Sequence, residues 1–393
     1  MTRTRAVFSG AIVLYFIIGL EILIMISPFA GFFYSAFNPF LLGLAKYPAT
    51  RWLSSFFFVH LLVPPDDFLK FVRIMGSVLF VAGLTGFLVC AFQVYAGKLL
   101  KTGPALKGLY SVIRHPQYLS LAVAGAGLAI MWPRFLVVVL WIAMVFVYYL
   151  LAKDEERRMR KQFPAPYQQY IDRSGMFLPK RMECALGFST AAGRLVVFAV
   201  ISAAALGGAF LLRDYTVSHL PLWTEGNVAV LPISSGDEPM LQHRMGEILQ
   251  LEEVKSRLRG NQAYLVYFLP QDYVMQGLIG DTGGDWQLYK QHHTMSMITD
   301  FIIHPFGHLA GGHHAMHGGA AAAEHNMGSS TVRRLIFVRI PNETADKASH
   351  LFALNAIRIP DFMVDVDVHT LRVLAAKNLP VETAWGKVPT PVF

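Results

Sequence analysis

The run "LSLAVAGAGLAIMWPRFLVVVLWIAMVFVYYLLA", residues 119–152, decides how this chain folds. It is too long for one membrane crossing, which takes about 20 apolar residues. It is also broken at Trp132-Pro133-Arg134. Proline lacks the backbone N–H and disfavours helix at the residue before it, so one helix should end there and another begin. The spacing predicts a tight helical hairpin with arms 117–131 and 134–153. The first arm is short for a full crossing. Whether or not it crosses, the two open ends return to the same face.

Working outward, apolar runs at 7–28, 71–95 and 194–212 are each long enough to span. The first could be taken for a secretory signal, but it runs on to about Pro28 with no small-x-small site, so an uncleaved helix containing Glu21 is expected. The aromatic stretches 29–40 and 52–63 are expected at the membrane interface. Composition agrees: 54% of residues are hydrophobic, only 15% are charged, and mean hydropathy is +0.43. Lys and Arg concentrate in three regions: Arg3 and Arg5, then 96–116, then 153–193. By the positive-inside rule these are cytoplasmic. The expected fold is therefore a membrane all-α core of about five transmembrane helices including the hairpin, with a C-terminal α+β soluble domain. The expected domains are an N-terminal membrane and interfacial segment (1–70), a membrane core (71–192), a final transmembrane helix (193–212) and an extracytoplasmic domain (213–393). The expected location is a bacterial inner membrane with the N-terminus cytoplasmic. Two cysteines, Cys90 and Cys184, imply no disulfide framework. No nucleic-acid partner is expected.

The hairpin brings two polar ends together. One is Arg114-His115-Pro116. Proline suits the first turn of a helix, and the free N–H groups there, with a guanidinium and an imidazole, favour an anion. The other is Asp154-Glu155-Glu156, expected at a helix C-terminus, where the dipole disfavours carboxylates. Either Arg157, Arg158 and Arg160 compensate, or a bound cation does. S-adenosylmethionine, with a carboxylate, an ammonium, a sulfonium and ribose hydroxyls, would suit both ends.

The stretch "GLYSVIRHPQYLS" resembles the signature of the isoprenylcysteine carboxyl methyltransferase and phospholipid methyltransferase superfamily. The pattern Gly-x-Tyr followed by Arg-His-Pro-x-Tyr is met by Gly108, Tyr110, Arg114, His115, Pro116 and Tyr118. The upstream "KTGP", with Gly103, resembles the lead-in. Downstream, "EERRMRKQFPAPYQQYIDRSGMFLP" is similar to the second block through Glu155, Glu156, Phe163, Tyr167, Tyr170 and Pro179. The resemblance covers about 72–180. Ser120 and Pro164 stand where the family has glycine. The resemblance implies S-adenosylmethionine as methyl donor, bound near the cytoplasmic face, and a lipidic or membrane-partitioned acceptor, either isoprenylcysteine-carboxylate-like or phospholipid-like. Gly103, Tyr110, His115, Pro116, Tyr118, Glu155 and Glu156 would then bind the cofactor, with Arg114, His115 and Glu155 catalytic. A general base is needed only for an amine or hydroxyl acceptor, and His115 and Glu155 are both candidates. Gly125-Ala126-Gly127 is expected to permit close helix packing.

In the C-terminal part, 226–233 and 262–269 are predicted strands, with an amphipathic helix between them presenting Met245, Ile248, Leu249 and Leu258. "RRLIFVRI" and "DFMVDVDV" are further strands, predicted as a second β-α-β unit. Between these pairs lies a His-rich loop, in which His304/His308 and His313/His317 have i, i+4 spacing with methionines nearby. Imidazole with thioether suits copper or zinc; an incidental solvated loop is the alternative. Two other functions compete with a methyltransferase. One is an NADPH-dependent membrane sterol-type reductase, which has a similar Arg-His and Tyr block. The other is a non-catalytic membrane module anchoring a metal-responsive external domain.

Overall fold

The computed structural model describes residues 41–99, 108–282 and 331–381, with short interruptions. The expected helix 7–28, the segment 29–40 and the His-rich loop lie outside the described residues. The rest falls into two compact units. One is built from Lys70–Leu211, and the other joins the chain that ends at Leu69 to the chain from Leu212 onwards.

In the first unit, α1 (Asp67–Leu99) is followed by α2 (Pro116–Met131) and α3 (Phe135–Gln162), which form the hairpin. Then come α4 (Pro164–Arg173), α5 (Lys180–Ala185) and α6 (Ala191–Ser218). Among the described residues, three helices are long and apolar enough to cross a membrane: Asp67–Val94 within α1, all of α3, and α6. With 16 residues, α2 spans only about 24 Å, short of a hydrocarbon core of about 30 Å. The break falls where Pro133 requires it, with Trp132 closing α2 and Arg134 capping α3.

The helices pack through small residues. A Cβ on Gly83 would come within 2.3 Å of Ala124 N, and one on Gly127 within 2.3 Å of Phe80 N. Backbones of α1 and α2 therefore touch directly, as small-residue interfaces in membranes allow. Ser120 meets the same interface, where Gly86 leaves room for its hydroxyl. Gly125 faces α3 instead, against Trp141 and Met144, and Trp141 Nε1 donates to Ala122 O at 2.8 Å.

One expectation is corrected. α3 does not end near residue 153 but runs to Gln162, so Asp154, Glu155 and Glu156 lie inside the helix and not at its C-terminus. The apolar pattern ends at Ala152, but the polar residues that follow form i, i+3 and i, i+4 pairs that carry the helix on. Asp154 accepts from Arg157 and pairs with Arg158 at 3.1 Å.

The second unit contains one six-stranded sheet in the order β1-β2-β3-β4-β5-β6 (Trp223–Glu225, Val228–Pro232, Ala263–Pro270, Val332–Ile340, Ile359–Asp367, Arg372–Asn378). β2 and β3 pair in parallel across α7 (Glu238–Gln250); the other neighbours are antiparallel. Leu241, Met245, Ile248 and Leu249 of α7 pack on Val228, Val230, Val266, Phe337 and Val364 of the sheet. The first β-α-β unit is thus present. The second is corrected: β4 and β5 are antiparallel, and among the described residues only the four-residue helix Ala348–Leu351 lies between them. One turn of helix is too short to carry the chain back along nine-residue strands. Phe56, Phe57, Phe58 and Val59, from the stretch expected at the membrane interface, are buried in this unit. Arg213 donates to the carbonyls of Phe56 and Phe352.

Close backbone contact leaves no room for side chains. Gly83→Leu and Gly127→Leu are each expected to lower stability by about 1–3 kcal/mol, while Gly207→Ala, with open space around its Cβ, should be near neutral. Thermal unfolding in detergent by differential scanning fluorimetry would rank the three.

Candidate functional site

Two short backbone segments build the floor of the site. Ile113 pairs with Gly175 in a parallel bridge. Arg114 N donates to Gly175 O at 2.8 Å, His115 N to Met176 O at 3.0 Å, and Gly175 N to Val112 O at 3.2 Å. The loop after α4 is thereby bound to the entry of α2, where His115 is the N-cap and Pro116 the first helical residue. Gly175 is obligatory here, since its Cβ would fall 1.7 Å from Leu178 O.

On this floor the two sequence blocks meet. Arg114 Nε donates to Glu156 Oε1 at 2.6 Å, and both side chains are only 7% exposed. The other end of the guanidinium donates to the carbonyls of Ile171 and Ser174. Arg114 therefore spends its charge inside the protein. His115 lies between two carboxylates, with Nδ1 at 3.3 Å from Glu155 Oε2 and Nε2 at 3.7 Å from Glu156 Oε1. Burial by itself would lower the imidazole pKa, but the interactions with Glu155 and Glu156 outweigh it and raise the value. The two carboxylates thus favour the protonated imidazole.

Glu155 differs from Glu156. Its side chain is 37% exposed against 7%, and it accepts from Tyr118 Oη at 2.6 Å. It is the accessible carboxylate of the pair. Tyr118 stacks on His115 on one side (5.7 Å between centroids) and on Tyr148 on the other (5.3 Å). Tyr170 donates to Tyr110 O, and burial raises the hydroxyl pKa of Tyr110, Tyr167 and Tyr170. Pro164, at the glycine position of the resembled second block, takes the first position of α4 after Phe163. Tyr167 and Tyr170 are thus still delivered into the core.

Tyr118 and Tyr148 also line a cavity of about 670 Å³ between α2, α3 and α6. Its walls include Ala122, Trp141, Phe146, Phe177, Leu178 and Phe198; Arg194 is the one charged residue among the described lining residues. The volume is within the roughly 300–1,000 Å³ of small-molecule sites. An apolar space thus adjoins the polar cluster, with Tyr118 in both.

The structure brings together Arg114, His115, Pro116, Tyr118, Glu155 and Glu156, and places Tyr110 beside them. Gly103, His304, His308, His313 and His317 lie outside the described residues. Among the described residues no group of metal-ligating side chains occurs. The parts that Tyr148, Phe177, Glu183 and the expected final helix α6 take in the site were not anticipated. Of these, only Glu183 has a local signal: an acidic side chain one turn after Pro179 in "LPKRMECA".

Residues 92–165 match the family model for phospholipid methyltransferases, within the superfamily that both sequence blocks resemble. No curated protein and no solved structure matches the chain.

Because the pKa of His115 is raised on folding, the stability it brings is complete below the unfolded value of about 6.5 and is lost as pH rises through the folded value. The melting temperature should therefore fall as pH rises above about 6.5, and His115→Gln should flatten that fall. Glu156→Gln removes the buried carboxylate that balances Arg114 and is expected to cost about 3–5 kcal/mol. Glu155→Gln, at a more exposed position, should cost less; urea titration of the three variants would show it.

Proposed function

We propose that this protein is an integral membrane methyltransferase that moves a methyl group from S-adenosylmethionine to a lipidic or membrane-partitioned acceptor. The observation that carries this reading is the junction at Tyr118. An accessible carboxylate, Glu155, and an apolar cavity among membrane helices meet at one side chain. The family match over 92–165 supports the same chemistry, and it favours neither the reductase nor the anchoring reading.

The residues present fit the donor. Glu155 offers a partly exposed carboxylate to an ammonium group or to ribose hydroxyls. Tyr110 Oη and Gln117 Oε1 are buried and have no hydrogen-bond partner among the described residues, so each has hydrogen-bonding capacity for a polar ligand. Bound there, S-adenosylmethionine supplies an electrophilic methyl group on a positively charged sulfur. The chain's own task is to hold and align, since displacement at a sulfonium depends mainly on proximity and orientation. Arg114 and Glu156 keep the α2 entry against α3. Tyr118 fixes Glu155 through its hydroxyl. His115 lies between the two carboxylates, which favour its protonated form. Where an amine or hydroxyl acceptor needs a base, His115 and Glu155 are the two candidates. The acceptor's apolar part would occupy the cavity beside Tyr118, with isoprenylcysteine-carboxylate-like and phospholipid-like head groups the two classes in view. In the cell the site would face the cytoplasm of a bacterial inner membrane, with the sheet unit outside.

The full chain in nanodiscs should bind S-adenosylmethionine in calorimetric titration and should not bind NADPH. Glu155→Gln should weaken the affinity at least about tenfold, as loss of a charge-assisted contact implies, and Tyr118→Phe by less. Radiolabel from methyl-labelled donor should enter the organic phase of a lipid extract. Donor affinity unchanged in Glu155→Gln, or NADPH binding in place of the donor, would overturn the reading.

A further inference from the structure

Glu183 lies outside the matched segment and outside both sequence blocks. It is an acid in the first turn of α5, the helix that begins directly after Pro179. A carboxylate at that place normally serves its own helix end. This one turns backwards. Its Oε1 accepts three successive backbone N–H groups, from Met176 at 2.6 Å, Phe177 at 2.8 Å and Leu178 at 3.2 Å. Its side chain is buried. Three amides converging on one oxygen form an anion-binding turn, and the strong charge-assisted bonds keep it closed.

The same turn is bound on its other edge to the site. Gly175 O and Met176 O take the amides of Arg114 and His115. Met176 thus donates to Glu183 and accepts from His115, so one peptide plane on either side links the two, and bonds in such a chain polarise one another. The Phe177 ring lies 6.1 Å from the His115 ring, and Phe177 and Leu178 are also walls of the apolar cavity. Gly175 leaves no space for the turn to be rebuilt with a side chain.

We propose that Glu183 is a positioning residue of this site: by gathering the amides of 176–178 it sets the Arg114–His115 backbone and the Phe177–Leu178 cavity wall as one piece. It touches neither donor nor acceptor. The expected effect on ligand affinity rests on the methyltransferase reading, whereas the effect on the backbone of residues 114 and 115 does not.

The test is hydrogen exchange by mass spectrometry on the full chain in nanodiscs, alongside titration with S-adenosylmethionine. In the wild type the amides of Arg114 and His115 should exchange slowly. Glu183→Ala should speed them at least about tenfold while the centres of α1, α3 and α6 stay protected, and should weaken donor affinity by a similar factor. Glu183→Gln keeps an acceptor oxygen, so it should retain most of the protection and lose affinity only about threefold, neutral bonds being roughly half as strong as charged ones. If Glu183→Ala does not fold, the ordering of wild type, Glu183→Gln and Glu183→Asp serves instead, the shortened Asp losing protection at 114 and 115 first. The proposal is overturned if these variants leave exchange at 114 and 115 unchanged, or if exchange rises equally in all helices. Failure of the wild type to bind the donor would sink the functional reading, and the exchange result would still decide the role of Glu183.

Discussion

The buried contact between Arg114 and Glu156 is the constraint on which the rest of the site depends. A guanidinium and a carboxylate, each almost wholly out of water, can stay charged only if both are satisfied. Glu156 takes Arg114 and lies beside His115; Arg114 takes Glu156 and two carbonyls of the chain around α4. That requirement holds the entry of α2, the last turns of α3 and the end of α4 in one place. Once they are there, Glu155 is left as the carboxylate that can face outwards, and Tyr118 orients it.

The arrangement divides labour between neighbouring residues of the same type. Glu155 and Glu156 are adjacent on one helix, and about 100° of rotation separates them. One is turned into the protein and balances Arg114; the other is partly exposed and meets Tyr118. Asp154, one residue earlier and itself largely buried, pairs with the exposed Arg157 and Arg158. The compensation of carboxylate charge by nearby arginines thus applies to Asp154 and, through Arg160 at 3.9 Å, to Glu156, while Glu155 and Glu156 also answer to His115 and Arg114 across the hairpin.

The family match ends at residue 165, but the site does not. The loop that carries Arg114 and His115 on its carbonyls, the clamp at Glu183 and the α6 wall of the cavity all follow it. The matched segment therefore supplies the polar groups, and the sequence after it supplies their support and the apolar space beside them. The aromatic stretch 56–59 shows a similar dependence on distant chain: it is buried with the sheet that begins more than a hundred residues later.

Much of this was legible in the sequence because it rests on local rules. Pro133 interrupts an apolar run, and no tertiary contact can restore the missing N–H, so the hairpin and the convergence of its ends followed from the chain itself. Arg114, His115, Glu155 and Glu156 followed for the same reason, since a hairpin of that length returns them to one face; Tyr118 was singled out by the family resemblance. The extent of α3 did not follow, because the apolar pattern stops at Ala152 while ion pairs one turn apart continue the helix. Nor did the division between Glu155 and Glu156, the antiparallel pairing of β4 with β5, or the part played by Glu183. Each depends on which groups arrive from elsewhere in the chain. Burial, charge balance and unsatisfied amides arise only when those groups meet, so only the tertiary structure decided them.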